Sequence, residues 1–228
     1  MAGFVDGITY CGSVSEKTIM HYKSSHTILL VGEGDFSFSA CLAKAFGSAT
    51  NMVATSLDSN EVLLRKYSRV AANLEALGLL GGTVLHEVDA TAMSRHCSLC
   101  YKEFDRIVFN FPHAGFSFRE TDAIQIKLHQ DLVRGFLREA RKLVSDKGEI
   151  HITHKISYPY CEWEIEELAK KEGLLLKETA EFSLWDYPNY ENKRGEGGNS
   201  DHTFPVGACA TFKFVRGTKV KFITNSRK

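Results

Sequence analysis

The chain has 228 residues, with 28 basic and 28 acidic side chains and a formal net charge of zero. Apolar residues make up 43% and charged residues 25%, the balance of a globular protein able to bury one sizeable core. No apolar run approaches the ~18 residues of a membrane span, the N-terminus lacks the basic and apolar regions of a secretory leader, and six scattered cysteines make no disulfide framework.

One domain is expected from this length, in the cytosol or nucleus. Residues 1–20 show little periodicity and read as an arm, 21–216 as the folded domain and 217–228 as a basic tail. The first strand is the apolar run Ile28 to Val31. It ends in Gly32-Glu33-Gly34, and a helix follows from about Phe36 to Phe46, stopped by Gly47. Met52 to Thr55 reads as a second strand. Glu61 to Leu77 reads as one amphipathic helix, with Leu63, Tyr67, Val70, Leu74 and Leu77 on a single stripe. Val84 to Val88 and Phe104 to Phe109 are the third and fourth strands, the latter closed by Pro112. Ile124 to Val144 is a long helix, Ser145 to Gly148 a turn and Glu149 to Thr153 the fifth strand. Trp163 to Glu172 reads as a surface helix, and Leu174 to Phe182 and Ala208 to Val215 as two closing strands. Between those two lies a loop from about Asp186 to Gly207, long enough to be expected to serve function or to lack order.

Strands alternating with helices predict an α/β fold with a parallel sheet covered on both faces, closed by an antiparallel hairpin. Ligands in such sheets collect at the C-terminal ends of the strands. Four groups fall there in succession: Gly32 to Asp35, Asp58, Asp89-Ala90, and Asn110 to His113. Gly32 allows a sharp turn and Gly34 a close backbone approach, with free N–H groups at the helix start facing the ligand. A bare Gly-x-Gly is equally an ordinary turn. Ser37 at the third position of the dinucleotide pattern, and the lack of a Tyr-x-x-x-Lys, count against NAD or FAD.

The run Gly32-Glu33-Gly34-Asp35-Phe36-Ser37-Phe38-Ser39 resembles the opening motif of the 25S rRNA uridine-N3 methyltransferase-like family, a branch of the Rossmann-like S-adenosylmethionine (SAM) enzymes. The resemblance continues through His21-Tyr22, Ser24-Ser25, Ser56-Leu57-Asp58, Val88 to Thr91, Phe109 to Gly115 and Gly148 to Lys155. It implies a seven-stranded sheet, SAM as cofactor and an RNA substrate, in the nucleolus or the cytoplasm. Asp58 would then accept from the ribose hydroxyls, and Asp89 beside Ala90 from the adenine amino group. Each aspartate is equally placed to cap the helix after it. Glu33 or Asp35 would help hold the amino end of the methionine moiety, or the two acids beside the turn would simply be solvated.

Asn110-Phe111-Pro112-His113 resembles the segments with which amino-directed methyltransferases aim a nitrogen at the methyl group. The Asn110 side-chain oxygen or nearby backbone carbonyls would supply the in-plane acceptors, Phe111 or His113 would stack on the base with Pro112 also counted at the substrate, and His113 would take the uridine N3 proton or serve only as structure. Tyr190, Lys193 and Arg194 in the long loop suit a lid with phosphate contacts, or aromatics packed on the domain edge. Lys213, Arg216, Lys219, Lys221, Arg227 and Lys228 make the C-terminal end basic, a weak pointer to RNA. Cys97-x-x-Cys100 has no second pair to complete a zinc site, so no metal is expected. His151 and His154 should point to opposite faces of their strand. A protein of this fold that binds SAM or a nucleotide by recognition alone is the competing reading.

Overall fold

The computed structural model describes residues 15–217. A short antiparallel hairpin, β1 (Thr18–Ile19) and β2 (Tyr22–Lys23), opens the described part. The arm expected over residues 1–20 is therefore already paired at Thr18, because Tyr22 is buried and its hydroxyl reaches His151 Nδ1 at 3.2 Å.

Seven further strands form one sheet. In chain order they are β3 (Ile28–Val31), β4 (Met52–Thr55), β5 (Thr83–Leu85), β6 (Phe104–Asn110), β7 (Val144–Lys155), β8 (Leu174–Glu181) and β9 (Cys209–Arg216). Their spatial order is β5-β4-β3-β6-β7-β9-β8. The first five pair in parallel, whereas β9 runs antiparallel between β7 and β8. This is the mostly parallel, seven-stranded sheet with a C-terminal antiparallel hairpin that the sequence and its resemblance imply.

Ile28, Leu29, Leu30 and Val31 are all fully or nearly fully buried, since both faces of β3 are covered. Ile28 and Leu30 pack with Phe38 and Leu42 of α1 (Ser37–Phe46), Leu63 of α2 (Asn60–Lys66) and Leu77 of α3 (Val70–Leu79). Leu29 and Val31 pack on the other side with Phe136 and Leu137 of α4 (Ala123–Leu143) and Leu168 of α5 (Ile165–Lys171). Helix α1 ends where Gly47, at φ 72°, turns its N–H back to Ala43 O. His151 and His154 do point to opposite faces, one toward Tyr22 and the other onto Trp163.

Two expectations fail for tertiary reasons. The single helix read over Glu61 to Leu77 is broken between α2 and α3. There Tyr67 leaves helical geometry and buries its ring, while Ser68 N–H and Oγ–H both donate to Asp201 of the long loop. The turn expected at Ser145 to Gly148 lies inside β7, where the ladder slips between Val144 opposite Phe104 and Glu149 opposite Arg106. A Cβ on Gly148 would stand 2.7 Å from Phe104 O, so the strand can bulge here only around a glycine.

Gly135 ties the helical layer to the strand ends. A Cβ there would meet Thr91 Cγ2 at 2.7 Å and Cβ at 2.9 Å, and Thr91 N–H and Oγ1–H hold the Asp89 carboxylate. Helix propensity alone would make Gly135→Ala stabilising by about 1 kcal/mol. The close packing reverses the sign: we expect a loss of about 1–3 kcal/mol, measured by urea unfolding. A stabilised variant would show that Thr91 yields freely.

Candidate active site at the strand ends

A cavity of about 500 Å³ opens at the C-terminal ends of β3, β4 and β6. It is lined by Gly32, Glu33, Gly34, Asp35, Asp58, Asp89, Ala90, Asn110, Phe111, His113, Tyr190, Lys193 and Arg194. The parallel sheet thus brings together every site residue expected from sequence except Pro112, which is buried beside the cavity without lining it. Lys66, Tyr67, Glu196 and Phe204 join the lining with no motif to announce them, and Ser56 joins from the Ser56-Leu57-Asp58 segment.

The turn after β3 is built differently from expectation. Gly32 adopts φ 66° and a Cβ there would strike Phe109 Cε2 at 2.4 Å, so glycine is required. Gly34 has no such backbone demand; its Cβ would approach Tyr67 Oη at 3.2 Å. Two of the helix N–H groups expected to face a ligand, those of Ser37 and Ser39, are already capped. Ser37 N–H donates to Asp35 Oδ1 at 2.9 Å, and Ser39 N–H and Oγ–H donate to Glu33 Oε2. An open helix N-terminus, which a pyrophosphate would use, is absent here. The cavity instead presents Glu33, Asp35, Asp58, Asp89, Glu191 and Glu196.

Such an acidic lining suits a ligand with cationic groups and hydroxyl donors. Asp35 Oδ2 is buried without a hydrogen-bond partner among the described residues, 3.9 Å from Lys193 Nζ, and burial raises its pKa. Asp58 is not the helix cap, because Ser59 takes that position; its Oδ2 accepts from Lys66 Nζ at 2.7 Å. Asp89 does hold the following turn through Oδ1, which accepts from Thr91 N–H at 2.7 Å and Oγ1–H at 2.8 Å. Asn110 carries the sharpest signal: both atoms of its carboxamide are buried and neither has a partner among the described residues. A buried amide left unmatched costs free energy that a bound ligand can recover.

His113 is committed within its own loop. Its Nδ1 accepts from Gly115 N–H at 3.1 Å, and Nε2 lies 2.7 Å from Glu120 Oε1. His129 mirrors it, with Nδ1 accepting from Ala114 N–H and Nε2 3.2 Å from Glu120 Oε2. Each ring therefore donates from Nε2 to one carboxylate, and these bonds hold Glu120 at a pKa of about 2 despite burial. The base role read from sequence finds no free ring nitrogen in this arrangement. His113, Glu120 and His129 lie close enough for a metal, yet a ligating Nε2 needs its Nδ1 to carry the proton and donate it onward. Here both Nδ1 atoms accept, so the cluster is a hydrogen-bonded clamp.

The long loop is an ordered strap over the cavity. Glu191 N–H donates to Ser37 Oγ, whose hydroxyl donates back to Glu191 O, and Arg69 pairs with the Glu191 carboxylate. Lys193, with a side chain 7% exposed, pairs with Glu191 at 2.8 Å and Asp201 at 2.9 Å. That makes Lys193 an internal tie and removes it from the phosphate contacts expected of it. Tyr190 packs edge-on against Phe38 and Phe182. Arg194 remains exposed, over the ring of Phe116 at 5.2 Å. The basic end is also partly committed: Lys213 pairs with Glu178 and Arg216 with Asp146, while Lys219, Lys221, Arg227 and Lys228 lie outside the described residues. Cys97 and Cys100 are free thiols on a turn.

This sheet, with its acidic cavity at the parallel strand ends, is that of the SAM-dependent methyltransferase class. Among solved structures it is similar to a methyltransferase from Pyrococcus furiosus, at TM-score 0.53 and 15% identity over 85% of this chain and 76% of that one. It is also similar to NSun6 from Pyrococcus horikoshii with SFG, at TM-score 0.55 and 17% identity over 86% and 49%. The chain belongs to the family described as rRNA (uridine-N3-)-methyltransferase BTM5-like, whose model matches residues 29–194. It is 52% identical to the uncharacterized protein At4g26485 of Arabidopsis thaliana, over 89% of this chain and 99% of that protein. It is 51% identical to heavy metal-associated isoprenylated plant protein 41 of the same organism, of which it spans only 39%. The 25S rRNA (uridine(2634)-N(3))-methyltransferase of Saccharomyces cerevisiae is 24% identical over 94% of this chain and 78% of that protein.

Glu33 makes the site pH-sensitive. Burial raises its pKa to about 7, against the lowering by its Ser39 bonds. A carboxyl at 4.5 when unfolded and about 7 when folded binds more protons in the folded state between those values, so stability falls as pH rises through that window. Glu33→Gln keeps an acceptor for Ser39 and does not titrate. Its melting temperature relative to the wild type should therefore climb between about pH 5 and about pH 8. A pH-independent difference in differential scanning fluorimetry would contradict the raised pKa.

Proposed function

We propose that the chain methylates N3 of a uridine in large-subunit rRNA, with SAM as the methyl donor. The observation that carries this reading is the buried, unpartnered Asn110 carboxamide lining an acidic cavity at the end of β6. Membership of the uridine-N3 family gives that carboxamide a matching partner. The substrate would be met in the nucleolus or the cytoplasm, and residues 21–216 would form the methyltransferase domain.

When bound, SAM supplies a methyl group on a positively charged sulfur. Asp58, already steadied by Lys66, accepts from the ribose hydroxyls. Asp89 keeps Oδ2 for the adenine amino group while Oδ1 holds the turn. Asp35, with its free oxygen, and Glu33 face the cationic amino end. Asn110 Oδ1 offers the in-plane acceptor for the N3–H, and Nδ2–H donates to the adjacent uracil carbonyl oxygen, where charge builds as N3 loses its proton. Phe111 is held at φ 48° beside Asn110, with its ring edge-on to Phe182 and Phe204, and frames the base with Pro112 behind it. His113 positions this loop through Glu120 and does not move the proton. Arg194 is the strap's exposed cation for a phosphate.

Methyl transfer from labelled SAM to an rRNA fragment, with N3-methyluridine identified by mass spectrometry, tests the reading directly. SAM binding without any such product would favour a protein that acts by recognition. Asp58→Ala should weaken SAM affinity by about 1–3 kcal/mol in calorimetry. Asn110→Ala should lower kcat by about 10²–10³-fold while leaving SAM affinity nearly unchanged. Wild-type turnover in Asn110→Ala would remove Asn110 from the substrate.

A further inference from the structure

Lys155 ends β7, the strand beside β6. Asn110 lies directly opposite Thr153 in the parallel ladder. Side chains at paired positions share a face, and so do residues two apart on one strand. Asn110, Thr153 and Lys155 therefore lie on one face of the sheet. Standard strand spacings put the Lys155 and Asn110 Cα atoms about 8 Å apart, within reach of a lysine stem.

The ammonium of Lys155 is held unusually. It sits 4.8 Å from the centroid of the Tyr160 ring and 4.9 Å from that of Phe204. Phe204 also lines the main cavity, so its ring separates the Lys155 ammonium from that cavity, which Lys155 does not itself line. On its other side Lys155 lines a groove of about 440 Å³ between the end of β7 and α5. The acid in its field, Glu120, already accepts from His113 and His129. Cys209 faces it from β9 and Arg194 from the strap, while the adjacent His154 is turned onto Trp163 on the opposite face. Burial lowers the Lys155 pKa and Arg194 lowers it further, against the influence of Glu120 and Cys209. A partly buried ammonium resting on two aromatic faces gains when an anion arrives beside it.

The uridine imide supplies such an anion. Its N3–H ionises only above neutral pH, and the resulting charge spreads onto the two flanking carbonyl oxygens. We propose that the Lys155 ammonium stabilises this ionised imide, acting from the same sheet face as Asn110. The proposal rests on the uridine-N3 reading above. In the balanced step, the N3 proton leaves to water and N3 keeps the bonding pair. N3 then takes the methyl carbon, and the S–CH3 pair stays on the sulfur, which becomes a neutral thioether. Lys155 keeps its proton throughout, so its contribution is charge and not proton transfer.

The test compares wild type, Lys155→Met and Lys155→Arg on one rRNA fragment carrying either uridine or 5-fluorouridine at the target position. Fluorine makes N3 more acidic. Lys155→Met should lose about 10²-fold in kcat on uridine at neutral pH, with SAM affinity unchanged. Its pH–rate profile should shift to higher pH, and 5-fluorouridine should close most of the gap. Lys155→Arg should keep most of the wild-type rate and profile. A fluorine-NMR titration of the bound 5-fluorouridine should show its N3 ionising at lower pH with wild type than with Lys155→Met, independently of turnover. An active wild type with an unshifted Lys155→Met profile would overturn the proposal, as would Lys155→Arg failing like Lys155→Met. A wild type that transfers no methyl group to the fragment would overturn the uridine-N3 reading itself.

Discussion

The site depends on the ties between the strap and the turn after β3. Glu191 exchanges two hydrogen bonds with the Ser37 hydroxyl, and Lys193 gathers Asp35, Glu191 and Asp201 around one buried ammonium. The Ser37–Glu191 and Asp35–Lys193 contacts join residues more than 150 positions apart and convert a long polar loop into a cavity wall. They also explain the broken helix between α2 and α3. Ser68 must leave the helix to reach Asp201, and Tyr67 must turn in beneath Gly195. A buried ion pair is weak evidence for stability in itself. Its role here is to select one arrangement of strap, turn and helix.

The electrostatic character of the cavity follows from the same ties. Lys66 and Lys193 neutralise part of the acidic lining but leave Asp35 Oδ2 unmatched. Glu33 and Asp35 spend one oxygen each on the first turn of α1. The helix dipole is thereby used internally, and the cavity prefers cationic and hydroxyl-bearing ligands over phosphates. Arg194 lines this acidic chamber and Lys155 lies behind its Phe204 wall, each against aromatic rings. In the proposed function the chamber would take the cofactor and these cations the nucleotide.

The loop after β6 shows how a single segment serves both sides. Asn110 is kept free because its neighbours satisfy each other: Phe111 N–H donates to Thr153 O, and His113 and His129 share Glu120. Gln125 completes the clamp, accepting from Phe118 N–H and donating to Gly115 O. The rigid surroundings raise the cost of leaving the carboxamide unpaired, which is the free energy a substrate can use.

Much of this was legible in the chain. The apolar run Ile28 to Val31, the glycine turn and the recurrence of polar groups after successive strands place a ligand site at one edge of a parallel sheet, because strand burial and glycine stereochemistry are local. The cluster of Asp58, Asp89 and Asn110 follows from that topology alone. What the chain could not reveal depends on partners distant in sequence. Lys193 reads as a phosphate hook until Asp201 and Glu191 claim it, and His113 reads as a base until Glu120 and the Gly115 amide occupy both nitrogens. Ser145 to Gly148 reads as a turn until β6 draws it into a bulged strand. Periodicity and residue type determined the sheet and its ligand-bearing edge. The tertiary structure alone decided which polar groups there are spent on one another and which remain free, since hydrogen-bond pairing is a property of neighbours in space.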